Sequence, residues 1–461
     1  MAGKKETSLT YQSKNAAKES DQKKKDTVFK FAKGYMSFLD QCKIEREAVR
    51  YAVSLAEKNG YVPFGYGKTY RPGDKVYYDN RGKSVILANI GTESPEEGFG
   101  IVAAHIDSPR VDLKPDPLWE KDEIAYFKTH YYGGIKKYQW PTIPLALHGR
   151  VVKENGETVD FTLGEKDEDP VFYITDLLPH LGYEQMAKKA SDIISGEEGL
   201  YALAGATPAD DKDAKDAVKL GVLKILQEQY GMVEEDFLSS ELTLVPAMKA
   251  RDVGFDRSMI GSYGHDDRVC AYPGLMAILN AKKPKYTAVC VLTDKEEIGS
   301  SGNTGLNTNY LYDFLVELCG TGNVRKAMRN SWCLSADVNA CYDPNYWRSF
   351  DKQNASLLHH GTVITKYTGA RGKSGTSDAS AEFVGKIRAI LNKDHVVWQT
   401  GELGRVDAGG GGTVAQYIAK LNIDVVDLGV PVLSMHAPYE VISKYDLYAT
   451  YEACLAFFRR G

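Results

Sequence analysis

Gly100-Ile101-Val102-Ala103-Ala104-His105-Ile106-Asp107-Ser108-Pro109-Arg110 begins as an uninterrupted apolar run and ends in polar side chains. A run this short, with no alternation of polar and apolar positions, reads as a strand buried on both faces. Tyr286 to Leu292, Trp332 to Ala336 and Val425 to Leu433 are similar, mainly apolar runs. Helical stretches such as Val269 to Leu279 separate them, which predicts an α/β fold whose sheet is covered by helices on both faces. In open sheets of this class ligands bind beyond the carboxyl ends of the strands, so the residues that follow each run are where a site is expected.

Every one of those ends carries a side chain able to bind a metal. His105 and Asp107 follow the first run, Glu296 and Glu297 the second, Asp337 the third and His436 the fourth, while Asp266-Asp267-Arg268 precedes the helical stretch at Val269. Two imidazoles with three carboxylates suit zinc, cobalt or manganese. Each piece alone has an ordinary reading: a histidine packed after a strand, an acidic pair on a solvated loop, an aspartate capping a helix. Five independent element ends finishing in ligand chemistry favour the metal reading. The spacings agree with it. Residues two apart on an extended segment share a side, so Asp107 is placed to accept the free ring N–H of a metal-bound His105. Neighbouring Glu296 and Glu297 diverge, so one can hold a metal while the other faces water as a general base.

The chain has 461 residues, enough for two or three domains, with 43% apolar and 26% charged residues as in ordinary globular proteins. The 57 basic and 62 acidic side chains leave a net charge of −5, which gives no electrostatic reason to expect nucleic acid or an anionic membrane as partner. Seven scattered cysteines without a CxxC pair fit a reduced, cytoplasmic compartment. The N-terminus lacks the apolar core of a signal peptide and no run of about 20 apolar residues occurs, so neither export nor a membrane span is expected. Residues 1–25, with seven lysines and no arginine, read as a solvated, partly frayed leader. Phe38 to Ala56 reads as one amphipathic helix stopped by Asn59-Gly60.

Between Leu113 and about Arg251 the texture changes to proline and aromatic residues, then a strand-like Val151 to Leu163 and a helix from about Ala214 to Tyr230 closed by Gly231. This predicts a second domain at 114–250, inserted into a sheet domain formed by 1–113 and 251–461. Gly409 to Gly412 lacks the lysine and spacing of a phosphate loop and reads as a tight turn before a helix from about Thr413 to Leu421. Gly369 to Ser377 reads as a loop whose Arg371 and Lys373 could meet an acidic group.

The segments AAHIDSPR (103–110), GSYGHDDRVCAY (261–272), TDKEEIGSSG (293–302), LSADVNACYDPNY (334–346) and LSMHAPYE (433–440) resemble, in order, the motifs of the aspartyl aminopeptidase and vacuolar aminopeptidase I family. The resemblance implies a phosphorylase-like mixed sheet sandwiched by helices, with the insert as a smaller β-rich oligomerisation domain, and assembly into a tetrahedral dodecamer. It implies two divalent metal ions, zinc foremost, bridged by Asp266, one completed by His105 and Asp337 and the other by Glu297 and His436. Glu296 would be the general base and Asp107 the partner of His105. His180 matches a family histidine that enters a neighbouring subunit's site and helps stabilise the oxyanion. The implied activity is metal-dependent removal of the N-terminal residue from peptides with a free N-terminus. Members differ in preferring acidic or neutral N-terminal residues, and the loop at 369–377 departs from the acidic-substrate pattern. A deacylase of N-acylated amino acids could use the same ligands, and a catalytically silent assembly protein would be expected to have lost some of them.

Overall fold

The four apolar runs lie side by side. In the computed structural model, which describes residues 9–211, 213–320, 322–369 and 371–460, the parallel strands Thr287–Thr293, Phe99–His105, Trp332–Ser335 and Asp424–Gly429 form the centre of a nine-stranded sheet. The antiparallel pair Lys75–Asn80 and Ser84–Asn89 extends it on one side and Thr362–Thr365 on the other, which makes the sheet mixed. Successive side chains point to opposite faces. Val102 and Ala104 therefore join the core under helices Gln22–Gln41, Glu45–Lys58, His265–Asn280 and Lys444–Arg460. Ile101 and Ala103 join the opposite core under Tyr310–Cys319, Val324–Arg329 and Ala415–Ala419.

The run Val425 to Leu433 is two strands rather than one. It turns after Gly429, and Pro431–Leu433 pairs instead in a small sheet with Asn339–Ala340 and Glu440–Ser443. His436 thus hangs from this second, smaller sheet. The helix expected over Phe38 to Ala56 is also broken. Gln22–Gln41 ends before Cys42, and Glu45–Lys58 starts afresh, its Glu47 carboxylate accepting the N–H groups of Lys43 and Ile44. The leader's residues 1–8 lie outside the described residues, but its lysines 23–25 sit in a 20-residue helix capped by Asp21 rather than in a frayed segment. The helix before Gly231 is Ala217–Tyr230, and Gly231 closes it at φ +63°.

Seven antiparallel strands between Arg110 and Pro246 form a separate sheet. Ser240–Pro246 pairs with both Arg110–Lys121 and Pro144–Val152, so six of these strands close into a ring. Closure leaves few open edges. The stretch Val151 to Leu163 is the hairpin Pro144–Val152 and Thr158–Leu163, not one strand. Among the described residues no helix is long and apolar enough to cross a membrane.

Candidate active site

His105, Asp107, Asp266, Glu296, Glu297, Asp337 and His436 converge at the carboxyl ends of the central strands. His105 is the last residue of its strand and is buried. Its Nδ1 lies 3.0 Å from the backbone oxygen of Asp107 and 3.3 Å from Asp107 Oδ1. Both partners only accept, so Nδ1 carries the proton and donates, leaving Nε2 to point at Asp266 Oδ1, 3.1 Å away. His436 repeats the arrangement. Its Nδ1 donates to the Gly134 backbone oxygen at 2.7 Å, and its Nε2 lies 3.0 Å from Asp266 Oδ2 and 3.5 Å from Glu297 Oε2. The two oxygens of Asp266 therefore face two different imidazoles.

Asp266 and Asp267 both keep non-helical backbone angles at the start of the following helix, and their carboxylates turn to the site. Asp267 Oδ2 accepts the His105 N–H at 3.3 Å, and its carboxylate stands with His105 and Asp337, one ligand atom from each lying within 4.8 Å of the others. His105, Asp266 and Glu297 form a second such group. Glu296 Oε2 is 3.8 Å from His105 Nε2. Asp107 accepts four donors: the Tyr132 hydroxyl at 2.8 Å, the backbone N–H groups of Glu296 and Glu297 at 3.2 Å each, and the His105 ring. It thereby ties one strand end to the next.

The site is crowded with negative charge. Burial pushes Glu296 up to about 7, and burial followed by the neighbouring Asp266 raises Glu297 well above the usual carboxylate range. Burial and then Asp267 raise Asp337 well above the carboxylate range. Burial disfavours the charged imidazole of His436, yet Asp266 and Glu297 outweigh it and lift the ring to about 10. Glu297 Oε1 and Asp267 Oδ1 are buried without a hydrogen-bond partner. Orphaned carboxylate oxygens beside two imidazoles whose Nε2 atoms face only carboxylates fit divalent cations.

His180 stands exposed on the loop at 175–182, and none of the contacts that join the other seven residues includes it. The loops at 369–377 and 409–412 meet through the Gly369 N–H, which donates to the Gly411 oxygen at 2.7 Å. Lys373 lies 3.7 Å over the Tyr367 ring and 3.1 Å from Asp378, so its charge already has a partner. The helix after the glycine run is short, Ala415–Ala419. Sequence reasoning assigned no role to Asp267, Tyr132 or Glu440. Glu440 accepts the backbone N–H groups of Asp266 at 3.1 Å and His436 at 2.7 Å. Its position four residues after His436 was the available signal; Tyr132 offered none.

A family model described as aminopeptidase I zinc metalloprotease (M18) matches residues 38–458. The chain belongs to the M18 family. As an M18 aminopeptidase it is 48% identical over 454 residues to the probable M18 family aminopeptidase 1 of Clostridium acetobutylicum, an alignment spanning 96% of this chain and 97% of that one. The crystal structure of an M18-family aminopeptidase from Thermotoga maritima superposes with a TM-score of 0.94 at 43% identity, covering 98% of this chain and all of that one. The S. cerevisiae mApe1 dodecamer shares the fold, with a TM-score of 0.75 at 19% identity over 94% of this chain and 96% of that one. This M18 aminopeptidase is thus a hydrolase of N-terminal peptide bonds from a zinc metalloprotease family with a mixed α/β fold.

Proposed function

We propose that this M18 aminopeptidase releases N-terminal residues at a site for two divalent cations, zinc foremost and cobalt or manganese by the same donor chemistry. The observation that carries this is the division of Asp266, whose two oxygens serve separate imidazoles. Asp266 would bridge the cations, with His105 and Asp337 completing one set of ligands and Glu297 and His436 the other. Bound there, the cations supply Lewis-acid polarisation of a carbonyl and an acidified water. The chain's own residues do the rest. Glu296, beside His105 and held by its N–H to Asp107, takes the proton of the attacking water and returns it to the leaving amine. Asp107 fixes the His105 ring so that Nε2 faces Asp266.

The organisation we propose has a phosphorylase-like catalytic domain at 1–113 and 251–461, with 114–250 as the oligomerisation domain. Its support is the closed strand ring, which begins at Arg110, and a run of exposed apolar side chains around His180 that includes Leu178, Leu181 and Tyr183. Such a run is expected to be covered by another copy of the chain. A dodecamer would present His180 to a neighbour's site, where it would help hold the oxyanion. Seven cysteines, all free, support a cytoplasmic location.

The test is a panel of free and acetylated peptides starting with Asp, Glu, Leu, Met or Lys, with zinc present or chelated. Metal-dependent release from free peptides only is the expected result, and the order of rates gives the preferred N-terminal residue. Preference for acetylated substrates would point to the deacylase, and no release with any metal to the silent assembly protein.

A further inference from the structure

The strand Ile124–Tyr132 belongs to the inserted ring of strands, yet its end reaches both halves of the candidate metal site. Tyr132 donates its hydroxyl to Asp107 Oδ2 at 2.8 Å, and Asp107 faces Nδ1 of His105 with its backbone oxygen at 3.0 Å and its Oδ1 at 3.3 Å. Two residues on, the Gly134 oxygen holds Nδ1 of His436 at 2.7 Å. Between them lies Gly133, at φ +73°, where a side-chain carbon would stand 3.3 Å from both Cβ and Oε2 of Glu297. A carbon on Gly134 would come 3.3 Å from His436 Nδ1. A side chain at either position would crowd these residues, so the backbone here runs close beside them.

We infer that Tyr132-Gly133-Gly134 is a positioning clamp by which the insert fixes the orientation of both imidazoles and so sets the affinity of the site for divalent cations. This rests on the two-cation reading above. Each imidazole must present Nε2 and keep its proton on Nδ1, and in each case an acceptor that enforces this is held or supplied by this one segment. Tyr132 is itself anchored. Its ring lies 4.2 Å from the Arg110 guanidinium, which donates to Glu45 Oε2 at 2.9 Å and Asp112 Oδ1 at 2.8 Å. The clamp is thus tied to the helix Glu45–Lys58 of the sheet domain as well as to the insert.

Tyr132→Phe separates this role from packing, because phenylalanine keeps the ring on Arg110 and removes only the hydroxyl. Zinc affinity is read by competition with a chromogenic chelator, alongside the visible spectrum of the cobalt-substituted full-length protein and the melting temperature after chelation. Tyr132→Phe and Gly134→Ala are each expected to weaken zinc about tenfold and to change the cobalt bands, within the range for partners that orient metal ligands. Tyr126→Phe, on the same strand but away from the site, should match wild type. Wild-type zinc affinity and cobalt spectrum in both Tyr132→Phe and Gly134→Ala would overturn the clamp. If wild type itself bound no zinc, or Asp266→Asn bound it as tightly, the two-cation reading would be what had failed.

Discussion

Glu440 Oε2 accepts the backbone N–H of Asp266 at 3.1 Å, although the two residues lie 174 positions apart. The other oxygen accepts the His436 N–H at 2.7 Å, so one buried carboxylate sets the backbones of two proposed ligands from different elements. Glu440→Gln replaces one acceptor with an amide that meets an N–H head-on. The expected loss is about 1–3 kcal/mol of stability, the cost of a buried donor left unpaired. Urea unfolding checks it, and zinc affinity should fall in the same variant.

Glu296 and Asp266 should fail in different ways. Glu296→Gln preserves shape and leaves all proposed ligands in place, so metal content should stay near wild type while kcat drops roughly 10²- to 10⁴-fold, the range for a general acid or base. Asp266→Asn removes the charge shared by both imidazoles, and metal content itself should fall. Elemental analysis after dialysis, paired with turnover, separates the two. Full activity in Glu296→Gln would remove Glu296 as the base.

Asp427 gives a pH dependence away from the proposed ligands. It is buried at the edge of the central strands with the Thr413 hydroxyl 2.8 Å from Oδ1, and burial pushes its carboxyl from 3.8 up to about 6. Between those values the folded chain keeps a proton that the unfolded chain releases, so this group's contribution to stability declines as pH rises from about 4 to 6. Asp427→Asn keeps an acceptor for Thr413 and removes the titration. Relative to wild type, the chelated variant should be unchanged near pH 4 and more stable by about 2–3 kcal/mol at pH 7, measured by urea midpoints.

The central strands were legible because burial on both faces makes them continuous apolar runs, and their ends were legible because metal chemistry uses few residue types. Where the chain changes sheet, that signal misleads: apart from Asp427, Val425 to Leu433 stays apolar across the turn after Gly429 because both of its strands are buried. The break between the two N-terminal helices did leave a trace. Between Cys42 and Val49 the apolar spacing lapses, and there Lys43 turns inward to the backbone oxygens of Pro246 and Met248. Tyr132, and the bond from Glu440 to Asp266, were invisible for a different reason. These hydrogen bonds to the site bridge up to 174 residues, and no local pattern encodes a contact between a strand end in one sheet and a loop beyond another.

His180 provides the sharpest test of assembly. In one chain it stands apart from the cluster, on a loop whose Leu177, Leu178 and Leu181 are exposed, as are Tyr183 and Met186 of the short helix that follows. If a neighbouring copy covers this loop and receives His180, His180→Ala should keep the oligomer but lower kcat by about 10²- to 10³-fold, the loss on removing one oxyanion donor. Leu178→Glu with Leu181→Glu should instead shift the mass seen by light scattering to smaller species. The origin of the histidine then follows from mixing. Neither His180→Ala nor Glu296→Gln alone is active, but dissociating and reassembling them in equal amounts creates sites in which an intact Glu296 meets a neighbour's intact His180. Random assembly gives roughly a quarter of such sites. Recovery of about that fraction of wild-type activity is expected, whereas a histidine acting within its own chain would give none, since no chain in the mixture carries both residues.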